Sequence, residues 1–284
     1  MLKKLKHKYI WDRIFLERLS EPLHLNFFSL FVKLFGNYEK QIEWDLVLKQ
    51  QHSYGILKAA KLAKKLKMHS ITVIEFGVAN GTGIINIQQI CSKITKLLDI
   101  KFDIYGFDNL VGLPEPEGYK DHPDLYQKED YPLQNIENLK KRLNDNTKLI
   151  IGDVKDTVPD FSKKDFTNSP IGFVSFDLDY YSSTKNALDL LSIDSKNLLP
   201  IIDIYFDDIS DYKHNSKCGQ YLAINEFNKN FNLRLIEQHR FLRKKRIFQR
   251  AKWIDHMYQL HVLDHVEKNI SNKRDRKILE NFHF

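Results

Sequence analysis

Two acidic tips carry most of the chemistry open to this chain. Asp177-Leu178-Asp179 follows the apolar run Ile171–Phe176, and Asp207-Asp208 follows the apolar run 201–206. Three or four carboxylates brought to one rim repel one another unless a hard divalent cation or a cationic ligand neutralises them, and Mg2+ takes carboxylate oxygens readily. The tips therefore point to a metal-assisted active site, with Asp177, Asp207 and Asp208 crowding together and Asp179 two residues along the first tip. The competing reading is solvated acids at strand ends.

The tips meet only if the intervening elements form neighbouring strands of a mostly parallel sheet, which binds ligands beyond the carboxyl ends of its strands. The rest of the chain agrees. Residues 70–76 have strand character, 77–83 form a glycine-rich turn, and 84–98 follow a helical pattern, the opening of a nucleotide-binding unit. Residues 102–108 and 149–153 read as the next two strands. Residues 112–132, with Pro114, Pro116, Pro123 and Gly118, read as a long loop of the kind that covers substrates. After Asp208, 221–231 is helical, and 233–239 and 257–263 alternate like a closing antiparallel pair. Upstream, 46–68 has the helical period and leads into the first strand.

Gly77, Gly81 and Gly83 do not have the spacing of a dinucleotide fingerprint, because position 79 is Ala, and no lysine follows them to make a P-loop. What remains is Glu75 at the end of the first strand, followed by a turn that lets a ligand approach backbone. A carboxylate there suits the cationic amino group of S-adenosylmethionine. Asp108, ending the second strand, suits ribose hydroxyls, and Asp153 follows the third.

These segments resemble class I S-adenosylmethionine-dependent methyltransferases, and more closely the macrocin O-methyltransferase family, which methylates sugar hydroxyls on macrolides. The matching pieces are Glu75-Phe76-Gly77-Val78, 107–116 with its Gly-Leu-Pro loop, 152–159, 177–184 and Asp207-Asp208. The resemblance implies a Rossmann-like α/β fold: a seven-stranded, mostly parallel sheet with a C-terminal antiparallel hairpin. It implies S-adenosylmethionine, bound by Glu75, Gly77, Asn80, Gly81, Asp108, Gly152 and Asp153, and Mg2+ on Asp177, Asp207 and Asp208. The chain departs from the family in having Asn197-Leu198-Leu199-Pro200 where a glycine turn is usual, Asp203 inside the strand, and Ile209 where Tyr is common. Residues 1–70 and the basic cluster at 240–252 have no counterpart there.

Methyl transfer to a sugar hydroxyl needs the oxygen in line with the methyl and sulfur, and a sink for its proton. Asp177 and Asp179 are the candidate catalytic carboxylates. His214 and His122 are candidate bases by side-chain type alone. Tyr180-Tyr181 and Thr184 read as core and helix cap. The rival readings are a metal-dependent hydrolase or nucleotide-sugar enzyme, and a non-catalytic binding module on the same fold.

Composition narrows the setting. With 284 residues, 42% hydrophobic and 12% aromatic, the chain can bury a full core. We expect a helical extension at 1–69, the methyltransferase domain at 70–271 and a charged tail at 272–284. No apolar run reaches the roughly 18 residues that span a bilayer. The apolar segment 25–34 is broken by Lys33 and lacks a signal cleavage site. Cys91 and Cys218 make no disulfide framework. A cytoplasmic protein is expected. Residues 1–70 carry 14 basic against 6 acidic side chains, 71–239 carry 18 against 26, and 240–252 carry 7 against none. The acidic centre and the lack of a recognised module argue against nucleic acid. The basic regions suit a phosphate-bearing, sugar-containing acceptor or a membrane surface, against a background of simply solvated faces; a homo-oligomer stays open.

Overall fold

The computed structural model describes residues 11, 13–122, 124–133, 135–210 and 214–269. The expected tail at 272–284 lies outside the described residues. Seven strands form one sheet: β1 (Ser70–Phe76), β2 (Lys101–Asp108), β3 (Thr147–Ile151), β4 (Ile171–Phe176), β5 (Leu198–Phe206), β6 (Arg234–Gln238) and β7 (Met257–Val262). Their order is β3-β2-β1-β4-β5-β7-β6. The first five in this order run parallel, and β7 is antiparallel to both neighbours. The order reverses between β1 and β4, which is where an open α/β sheet leaves a crevice at the carboxyl ends of its strands.

Register makes that crevice. Phe107, Phe76, Phe176 and Phe206 are cross-strand partners on β2, β1, β4 and β5. Their rings stack in a row, with successive centroids 4.6, 5.1 and 4.9 Å apart. The residue after each phenylalanine is therefore also aligned: Asp108, Gly77, Asp177 and Asp207. The ladder runs one step past the strand ends to hold them, with amides of Gly77, Asp177 and Asp207 donating to the carbonyls of Phe107, Phe76 and Phe176. A buried aromatic floor thus carries a line of acidic tips.

The helix Gln50–Lys65 begins inside the amino-terminal segment yet packs on the sheet, burying Ile56, Leu57, Ala59, Ala60 and Ala63 in the common core. Gly55 lies against the Phe173 ring, leaving no room for a Cβ. Ahead of it, Leu23–Phe35 forms a helix whose Phe27, Phe31 and Phe35 are exposed. Among the described residues, no helix is long and apolar enough to cross a membrane.

The basic cluster is broken up by folding. Arg246 is buried, pairs with Asp45 at 2.7 Å and donates to the carbonyls of Ile42 and Glu43. Arg243 pairs with Asp255, and Arg240 with Glu237. The Arg246 contacts clip the loop between β6 and β7 to the amino-terminal segment, while the other two pairs lie within the β6–β7 region itself.

Candidate functional site

A cavity of about 400 Å3 opens at the carboxyl ends of β1 to β5. Gly77, Asp108, Gly152, Asp153, Asp177, Asp179, Asp207 and Asp208 all line it, together with Tyr126, Asp130, Tyr131 and Ser183 from the loops. Its lining contains seven aspartates and no lysine or arginine. Such a cavity selects for cations. Its volume lies within the usual range for a small-molecule site, about 300–1,000 Å3.

Ligand oxygens of Asp177, Asp207 and Asp208 lie within 4.8 Å of one another. An all-carboxylate set is the donor chemistry of hard divalent cations such as Mg2+. The Asp177 carboxylate is open to the cavity but otherwise enclosed by protein. That enclosure first, and the Asp207 charge second, raise its pKa above the ordinary carboxylate range. The three acids are therefore a strained arrangement that a bound cation would relieve, and the residues fit such an ion.

Side chains that the sequence did not single out hold these ligands. The Tyr205 hydroxyl donates to Asp207 Oδ1 at 2.5 Å. Gln220, fully buried at the start of the helix Gly219–Asn230, donates from Nε2 to Asp208 Oδ2 and to the Leu178 carbonyl, each at 3.2 Å, and accepts from the Asp208 amide. One glutamine thus ties both acidic tips together. Nothing in the local sequence marks it, because its partners lie 12 and 42 residues away. Tyr205 was open to prediction: strand alternation puts it on the same face as Asp207, two residues on.

The glycine turn is shaped by its own acids. Asp108 accepts from the amides of Val78, Ala79 and Leu110 at 3.0, 2.8 and 2.7 Å, so its carboxylate first organises the turn and offers a ligand only its remaining lone pairs. Asp108→Ala should accordingly cost about 1–3 kcal/mol of cofactor affinity, read by calorimetry; unchanged affinity would show that the cofactor does not touch this turn. Gly77 has φ +83°, and a Cβ there would overlap the Asp177 carbonyl. Glu75 is buried, with Oε2 lacking a hydrogen-bond partner among the described residues; burial, then the nearby Asp177 charge, push its pKa well up. A Cβ on Gly83 would overlap the Glu75 carboxylate, which explains the third glycine. Asp153 caps the helix Val154–Phe161 by accepting from the Lys155 amide, and Asn80 accepts from the Thr82 amide one residue ahead of the Gly81 helix start. Gly81, at φ +79°, packs under Leu139.

Glu75, Asn80, Gly81 and His214 do not line the cavity. His214 stacks on His122 with centroids 4.3 Å apart, and burial plus that neighbour hold its pKa down at about 4. Both ring nitrogens of His214 are buried without hydrogen-bond partners among the described residues. That is the environment of a packed ring, and it leaves Asp179 as the candidate base that reaches the cavity.

A second cavity, of about 870 Å3, lies on the other side of Asp207, which lines both. Its walls come from the amino-terminal segment, the start of the helix Thr82–Leu98, Tyr205 and the loop before β7.

No family model matches the chain, and no curated protein matches it. Among solved structures, it is similar to the calicheamicin methyltransferase CalS11, at 22% identity over 60% of this chain and 69% of that one, with a TM-score of 0.43. The O-methyltransferase NovP is 18% identical over 65% of this chain and 73% of its own, TM-score 0.47. TomG of Streptomyces achromogenes, solved with S-adenosylmethionine, is 12% identical over 88% and 93%, TM-score 0.37.

Proposed function

We propose that this protein is an S-adenosylmethionine-dependent O-methyltransferase, assisted by Mg2+ on Asp177, Asp207 and Asp208, that methylates a hydroxyl of a sugar-containing acceptor. The observation that carries the reading is the position of Asp207: it belongs to a three-carboxylate cluster and forms the wall between an acid-lined cavity and a second, larger one. The acid-lined cavity suits the donor, whose sulfonium and ammonium groups are cationic. The acceptor enters from the other side.

In the reaction, the acceptor oxygen forms a bond to the methyl carbon as the carbon–sulfur bond breaks. The sulfonium becomes a neutral thioether, and the hydroxyl proton leaves. Alignment of oxygen, methyl and sulfur is the main requirement. A divalent ion, when bound, supplies Lewis-acid polarisation of a coordinated oxygen. The chain's own residues do the positioning: Tyr205 fixes the orientation of Asp207, and Gln220 fixes Asp208 against the Leu178 carbonyl. Asp179, on the lining of the same cavity, is the carboxylate assigned to take the proton. The loop residues Tyr126, Tyr131 and Pro114 cover the donor and limit water.

Calorimetric titration with S-adenosylhomocysteine, with and without Mg2+, tests the reading. Saturable one-to-one binding is expected, and it should be weakened by Asp108→Ala. No binding under either condition would return the site to the hydrolase class.

A further inference from the structure

The two cavities that share Asp207 have opposite electrostatic character. The larger is lined by Arg13, Lys49, Arg142 and Lys252 against Glu17 and Asp207 alone. Among the described residues, no hydrogen bond or ion pair engages the side chains of Arg142 or Lys252, whereas the Lys49 charge already acts on Asp177 and Glu75. Lys49 also holds a left-handed backbone, φ 49°, which costs a non-glycine residue about 1–2 kcal/mol. Strain of that kind persists where the surroundings fix it, commonly at ligand sites.

With four cations against two carboxylates on its lining, this cavity fits a ligand that is oxygen-rich and negatively charged. We propose that the acceptor carries an anionic oxygen group, a phosphate ester or a carboxylate on a sugar, and that Arg142 and Lys252 hold this group in the second cavity. The inference rests on the methyl-transfer reading for the word acceptor, but not for the anion site itself. It moves the recognition of charge away from Arg243, Lys244 and Lys245, since Arg243 is paired with Asp255 and none of the three lines the cavity. It also gives a reason for the opposed linings: a cationic donor and an anionic acceptor attract across the Asp207 wall, where the methyl has to pass.

The test is a calorimetric titration of the full chain, with and without S-adenosylhomocysteine and Mg2+, using three probes: a hexose 1-phosphate, a hexuronate and a neutral methyl hexoside. At least one anionic sugar should bind about tenfold or more tightly than the neutral one, and the preference should shrink as salt rises. Which anionic probe binds better distinguishes phosphate from carboxylate. The double variant Arg142→Gln/Lys252→Gln should lose about tenfold in affinity for that probe while keeping its affinity for S-adenosylhomocysteine. The double replacement of Lys244 and Lys245 by Gln, which leaves the Arg243–Asp255 pair in place, should leave both unchanged. Equal binding of all three sugars, binding of neither anionic sugar, or an unaffected double variant would overturn the proposal. Anionic-sugar binding in a chain that fails to bind S-adenosylhomocysteine would uphold the anion site and sink the methyl-transfer reading alone.

Discussion

Asp207→Asn should lower methyl transfer at least about 100-fold while changing S-adenosylhomocysteine affinity less than about twofold. The substitution keeps shape and still accepts the Tyr205 hydroxyl, so the tip should stay where the Phe206 ring and the bond to the Phe176 carbonyl put it. What is lost is one of three negative ligand groups within 4.8 Å of one another, and with it much of the hold on a divalent cation. The variant separates metal dependence from donor binding because the donor-side contacts of Asp108 and the glycine turn are untouched. Excess Mg2+ should recover part of the activity. Activity equal to the parent, or activity that persists in excess chelator, would contradict the metal-assisted mechanism.

The second large effect is on stability. Arg246→Ala is expected to destabilise the fold by about 3–5 kcal/mol, measured by urea unfolding. The Arg246 guanidinium satisfies Asp45 and two carbonyls at once, and Asp45 is 3% exposed. Burial already raises the Asp45 pKa, with Arg246 the largest opposing influence; removing the arginine leaves an acid with little water and less counter-charge. The cost should come from stranding Asp45 more than from losing attraction, so the double variant Arg246→Met/Asp45→Asn, which keeps a residue that tolerates the left-handed backbone at position 45, should recover much of the stability. If the double variant is as unstable as Arg246→Ala, the two backbone carbonyls are the important partners. Because this clip also fixes the loop carrying Lys252 and Trp253, the single variant should weaken acceptor binding as well.

Much of the sheet was legible because its determinants are local. The runs 70–76 and 171–176 are apolar, bounded by polar residues or glycine, and coincide with β1 and β4. Alternation located β6 and β7 to within about a residue or two. β5 starts at Leu198, ahead of the expected 201, because Pro200 is tolerated within the strand; the β4–β5 pairing shifts register between Ile171 and Phe173, opposite that stretch. The acidic tips were legible for the same reason: each follows its strand directly. The residues that position them were not. Gln220 reaches its carbonyl and carboxylate partners through the docking of a helix on the tips, a tertiary fact without a local signature. The basic cluster divides on folding in a way its composition does not show: Arg246 turns inward to Asp45, Arg243 and Arg240 are paired, and Lys252 lines the second cavity. Two other cations on that cavity, Lys49 and Arg142, are isolated in the sequence and carry no motif.

A crystal structure with S-adenosylhomocysteine and Mn2+, using the anomalous signal of the metal, tests the central claim most directly. The account predicts one metal peak bonded to carboxylate oxygens of Asp177, Asp207 and Asp208 at roughly 2.1–2.3 Å, with S-adenosylhomocysteine in the acid-lined cavity and its sulfur facing Asp207. A metal bound elsewhere, or S-adenosylhomocysteine in the cavity lined by Arg142 and Lys252, would contradict it.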